Sequence, residues 1–197
     1  MLAGTAIIGA ILVYGFGNSF TQSALNGLSA ATAGATVAQP ALYKGVLLML
    51  LNSVFVVIIG DAVFRLVPAS QRFDAGVYLV ARIAEAVLLA IGAFCLLSVA
   101  RSAAPELMQQ RNVLFYNLGM VMLGTGSLFL FYRLRSSGFF PRWLLIWGMA
   151  GYAGLLFGAL LDLSGSKMGI WFAIPGGLFE LVWGLLWIGE GLRAGRS

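Results

Sequence analysis

The chain has 197 residues, of which 60% are hydrophobic and 10% charged, and its formal net charge is +5. Soluble domains sit nearer half apolar and a quarter charged, so this chain in water would expose more apolar surface than it could bury. With no histidine and a single cysteine, imidazole-ligated haem, histidine-containing metal sites, serine–histidine catalysis and an internal disulfide are all excluded.

The mean hydropathy of +0.95 marks an integral membrane protein. A helix needs about 20 mostly apolar residues to cross about 30 Å of hydrocarbon. Six runs qualify: residues 2–20, 45–67, 76–100, 113–134, 143–163 and 169–192. The first run lacks a positive leader and is read as a span, not as a cleaved signal peptide. The longest connector, 21–43, is rich in Ala, Gly, Ser and Thr and almost uncharged; it reads as an ordered cap or a flexible loop. The shorter connectors, such as "VPASQRFDAG" and "RLRSSGFFPR", carry charge or turn residues. The expected fold is an all-α integral membrane protein: a six-transmembrane-helix bundle forming one domain over residues 1–197.

Cation placement orients it. Arg65, Arg72, Arg133, Arg135, Arg142, Arg193 and Arg196 fall on the side of the termini, against Lys44, Arg101, Arg111 and Lys167 on the other. The excess predicts that both termini are cytoplasmic. The net positive charge is thus a topology signal, and no basic stripe interleaved with aromatics points to nucleic acid.

Four of the acids fall inside predicted spans: Asp61, Glu85, Asp162 and Glu180. Such groups are costly in hydrocarbon and persist where they pair, face a wet cavity or serve a function. At a rise of about 1.5 Å per residue, Arg82 lies about 9 Å and Glu85 about 14 Å into the third span. Glu180 falls near the centre of the sixth span, and Asp61 is expected at the level of Arg82. Arg82 and Glu85 share a helix face, as do Asp61 and Arg65. The expectation is one internal polar layer holding Arg82, Glu85, Glu180 and Asp61, as a ligand-binding or proton-handling site or as a network that fixes helix register. One arginine facing three carboxylates leaves at least one acid neutral or awaiting a partner.

Other residues are given supporting or plainer roles. Asn52 and Asn117 are expected to make interhelical hydrogen bonds. Asp162 is placed at the outer end of the fifth span, within reach of water. Glu106 and Asp74 are read as solvated loop residues, and Glu190 is expected to pair with Arg193. Trp143, Trp147, Trp171 and Tyr132 read as interfacial belt anchors, and Trp183 and Trp187 share a face of the sixth span. Pro175, followed by Gly176 and Gly177, is expected to kink the helix beside Glu180. The glycine-rich patches lack the Lys–Ser/Thr of a phosphate loop, and Lys44 and Lys167 are too near the span edges for a Schiff-base lysine. No metal site and no cofactor are expected.

Three stretches taken together resemble a family of bacterial membrane proteins, domain-of-unknown-function family 4386. They are "ARIAEAVLLAIGAFCLLSVA", "FYRLRSSGFFPRWLLIWGMAG" and "IPGGLFELVWGLLWIGEGL", and the resemblance covers roughly residues 44–192. By position, Arg82, Glu85, Pro141, Arg142, Trp143, Pro175 and Glu180 match the family's pattern. Two positions depart from it. Leu186, with Trp187 after it, stands where the family usually has tryptophan, and Glu190 where it tends to have lysine. The resemblance implies a multi-span inner-membrane protein in a family without an established activity.

The leading expectation is a non-enzymatic, multi-pass protein of the inner (cytoplasmic) membrane. It would bind a small or lipophilic molecule, or act as accessory subunit of a membrane complex with a protein partner or further copies of itself. The alternatives are an intramembrane enzyme using Glu180 or Glu85 as general acid on an isoprenoid-like substrate, and a proton-coupled small transporter. The transporter is disfavoured because no inverted repeat is visible.

Overall fold

In a computed structural model that describes residues 2–30, 35–99, 104–135, 137–138 and 141–194, every regular element is helical. The helices are α1 (Leu2–Ala30), α2 (Ala35–Leu66), α3 (Arg72–Leu97), α4 (Pro105–Leu134), α5 (Arg142–Leu163) and α6 (Gly169–Ala194), with a single 3-10 turn at Ala69–Gln71 before α3. All six are long and apolar enough to cross a membrane.

Each helix packs on its neighbours in the chain, and α1 packs on α6. The bundle is therefore a closed ring of six. Its termini end carries the start of α1 beside the end of α6: a Cβ added at Gly4 would meet the carbonyl of Gly184 and, at 2.9 Å, Ile188. The main apolar core runs from this end, with Ala3, Ile7, Val63, Tyr78, Phe131 and Trp183, past mid-span to Leu89, Met120 and Ala159. At its centre Phe131 meets Phe179 and Trp183 edge-on, each with ring centroids 5.6 Å apart.

The connector 21–43 is the main departure from expectation. It is helical on both sides of residues 31–34, which lie outside the described residues. Hydropathy misses these turns because a helix emerging from the bilayer need not be apolar. The segment is rich in alanine, the strongest helix former, and its Pro40 lies near the start of α2. The extension is packed. Thr21 is fully buried and donates its hydroxyl to the Gly17 carbonyl at 2.8 Å. Ala24 and Leu25 form a second core with Leu42, Val46 and Met49 of α2 and Leu96 of α3.

Asp74 is a second correction. α3 begins at Arg72, before its apolar run, so Asp74 sits in the first helical turn, where a carboxylate complements the helix dipole. It is buried, not solvated, and accepts a hydrogen bond from Arg133 Nε of α4 at 3.1 Å. The far end of α5 closes with a Schellman motif. Gly165, at φ +95°, follows the last turn, Ser166 N donates to Leu161 O, and Gly165 N donates to Asp162 O. The Asp162 carboxylate accepts from Gly169 N at 2.7 Å, which satisfies an amide at the start of α6. The expected Glu190–Arg193 pairing, and the topology cations Arg101 and Arg196, fall outside the described residues and side chains.

Candidate functional site

A cavity of about 240 Å³ lies inside the ring, and all six helices contribute to its wall. Its polar side chains come from α1 (Tyr14), α2 (Asn52), α3 (Arg82 and Glu85), α4 (Tyr116), α5 (Tyr152) and α6 (Glu180). Most of these lie near the midpoint of their helix, so the polar surface is concentrated at mid-span. The remaining wall is aliphatic, methionine and glycine.

Arg82 and Glu85 lie one turn apart on α3, with side chains only 4% and 3% exposed. Arg82 Nη1 stands 2.9 Å from Glu85 Oε2. This is an ion contact without hydrogen-bond alignment, because Glu85 Oε2 and Arg82 Nε both lack a hydrogen-bond partner among the described residues. Arg82 Cζ also lies 6.0 Å from the centre of the Tyr78 ring, at the outer limit of a cation–π contact. The pair is thus neutralised, yet it keeps hydrogen-bonding capacity that the protein does not use.

Glu180 is held differently. The Tyr152 hydroxyl donates to its Oε1 at 2.8 Å. Local sequence explains the meeting. Glycines 148, 151, 154 and 158 strip one face of α5, and a Cβ at Gly151 would lie 2.8 Å from the Gly176 Cα. The two backbones therefore run in near contact, as small residues allow in membrane bundles. Side chains tilt toward the N-terminus of their own helix. Because α5 and α6 are antiparallel, Tyr152 and Glu180 lean toward each other from opposite levels.

Of the residues expected to form one layer, Arg82, Glu85 and Glu180 share this cavity and Asp61 does not. Asp61 is 41% exposed on its side chain and bonds Arg65 one turn along α2, Nε to Oδ2 at 2.7 Å. A helix-local partner was available to it, and depth alone does not tell which face a residue takes. Asn117 is buried against a smaller adjoining cavity of about 110 Å³, which it shares with Asp162 at the end away from the termini. Trp183 lies beneath the central cavity in the aromatic plug, its ring stacked on Phe179 at 5.5 Å. Pro175 is exposed and lies within a continuous α6.

Sequence reading passed over Tyr14, Tyr116 and Tyr152. Tyr14 and Tyr116 stack across the ring with centroids 5.8 Å apart. The available signal was position: tyrosines usually sit at membrane interfaces, where the hydroxyl reaches water, and a tyrosine at mid-span needs a polar partner inside the bundle. Among the described residues, no three His, Cys, Asp or Glu side chains are grouped so as to hold a metal ion.

A family model described as "Domain of unknown function (DUF4386)" matches residues 2–188. The chain belongs to this family. The DUF4386 match takes in the first helix, two of the three quoted stretches whole and the third up to Ile188, so every residue that lines the cavity falls within it. No curated protein and no solved structure matches the chain. In this DUF4386 chain, Leu186 and Glu190 are exposed on α6 and do not line the cavity.

Proposed function

We propose that this protein is a non-enzymatic, multi-pass protein of the inner membrane, both termini cytoplasmic, that binds a small lipophilic molecule inside its helical ring. The observation that carries this reading is the central cavity itself. Ring packing of six helices does not require a void of about 240 Å³, and interiors are ordinarily close-packed. An engineered apolar cavity of about 150 Å³ takes up benzene, so this one has room for a larger molecule. Apolar walls with a few convergent polar groups are the usual composition of a small-molecule site.

Native mass spectrometry on gently solubilised protein, wild type beside Glu180→Gln, tests the reading. A small molecule retained by the wild type and lost from the variant is the expected result. A foreign subunit retained by both, with no small molecule in either, would overturn it. That result would make the protein an accessory subunit whose buried charges serve only the bundle.

A further inference from the structure

Two features of the cavity bear on what enters it and by which route. The first is charge. Among the described residues the cavity wall holds one cationic side chain, Arg82, and two carboxyl groups, Glu85 and Glu180. Arg82 is committed to Glu85 at 2.9 Å. Among the described residues, the side-chain hydrogen bond to Glu180 comes from the Tyr152 hydroxyl on Oε1, a neutral donor that does not cancel its charge. With both carboxyls ionised, the site carries one surplus negative charge at mid-membrane, where an uncompensated charge is costly. The neighbouring wall includes the rings of Tyr14, Tyr116 and Tyr152, whose faces attract cations. A carboxylate beside aromatic rings in an otherwise apolar cavity suits an organic ammonium group with an apolar body.

The second feature is an opening. Among the described residues that line the cavity, those exposed at the protein surface are Gly15 of α1 and Gly177 of α6. A Cβ at either would meet nothing within 4 Å. They lie at the same level, because the antiparallel register that sets Gly4 against Ile188 sets Gly15 opposite Gly177. The two helices touch at the termini end, while at mid-span the two glycines that border the cavity have open space beside them. This seam is also the one place in the ring where neighbouring helices are not consecutive in the chain, so they can part without straining a connector.

We propose that the cavity takes a lipophilic monoamine directly from the bilayer, through the gap between α1 and α6 at Gly15 and Gly177, with the ammonium group on Glu180 and the tyrosines. This rests on the small-molecule reading above and names its ligand class and route.

The test uses the full chain in lipid nanodiscs, with radiolabelled n-octylamine as probe and n-octanol and octanoate as competitors. Empty nanodiscs supply the partitioning background. Saturable octylamine binding is expected, with octanol at least tenfold weaker and octanoate unable to compete. Glu180→Gln is expected to weaken octylamine at least tenfold. Gly177→Trp is expected to slow its association at least tenfold. Gly189→Trp, on the same helix with open space around it and away from the cavity, should leave the rate unchanged. Octanol or octanoate binding as well as the amine would overturn the ligand class while leaving the small-molecule reading in place. An unchanged association rate in Gly177→Trp would overturn the route. Saturable binding of none of the three overturns the inference and counts against the small-molecule reading as well. The ranking of the three probes is read on the wild type and does not depend on any variant folding.

Discussion

The Tyr152 hydroxyl donates a 2.8 Å hydrogen bond to Glu180 Oε1, joining α5 to α6. Both residues border the central cavity, so the bond positions the carboxylate as well as linking the helices. Tyr152→Phe removes the donor and leaves the carboxyl without a hydrogen-bond partner among the described residues, a loss of about 1–3 kcal/mol by analogy with other buried polar groups. Glu180→Gln keeps an oxygen that can accept the same bond and is expected to cost less. Unfolding in a graded denaturing detergent should rank Tyr152→Phe below Glu180→Gln. The reverse order would mean that the bond contributes little to the folded state.

Arg82 poses a different question, since its partner lies on the same helix. Arg82→Leu leaves Glu85 buried and unpaired, which in soluble proteins costs about 3–5 kcal/mol. Membrane accumulation and thermal stability should both fall sharply. Adding Glu85→Gln removes the orphaned charge, and the double variant is expected to recover most of the loss. A double variant as unstable as Arg82→Leu alone would show that Arg82 serves another carboxyl, Glu180 being the one within the same cavity.

Hydropathy is enough to locate six spans, because a bilayer demands apolar residues over a fixed length. It misplaces helix ends wherever the helix leaves that layer. Residues 21–30 and Asp74 are both helical, yet both read as connector in the sequence for that reason. Arg82, Glu85 and Glu180 stand out in sequence as charges within apolar runs, and depth counted along the helices brings them to similar levels. Depth says nothing of azimuth, so Asp61 reads as a member of the same layer although it turns to Arg65. The tyrosines were illegible for a different reason. Tyr14, Tyr116 and Tyr152 are common residues in membrane helices, and only the ring closure of α1 onto α6 shows that they face one cavity.

Orientation can be read from labelling. With Cys95, the sole cysteine, replaced by serine, single cysteines at exposed loop positions report their side of the membrane. Ser70→Cys lies in the α2–α3 connection, on the termini side, and Ser166→Cys lies between α5 and α6. In intact cells a membrane-impermeant maleimide should label Ser166→Cys and spare Ser70→Cys, as the arginine excess predicts. The opposite pattern would place both termini outside the cytoplasm. The cavity would be unaffected, because it lies at mid-span inside the ring.

Backbone proximity between α5 and α6 gives the sharpest steric prediction. At Gly151 a methyl group would stand 2.8 Å from the Gly176 Cα, a contact with backbone that no rotamer change can relieve. Gly151→Ala must therefore push the two helices apart, at a cost of about 1–3 kcal/mol typical of overpacking. The separation also lengthens the Tyr152–Glu180 bond, so the variant should lose part of whatever that bond contributes. Gly189→Ala is the matched control on α6: nothing lies near its Cβ, and the gain in helix propensity of up to about 1 kcal/mol should leave it as stable as the wild type or slightly more so. Thermal unfolding in detergent compares the two directly. If Gly151→Ala is also neutral, α5 and α6 are free to slide, and the near contact at Gly176 is not what sets the carboxylate against Tyr152.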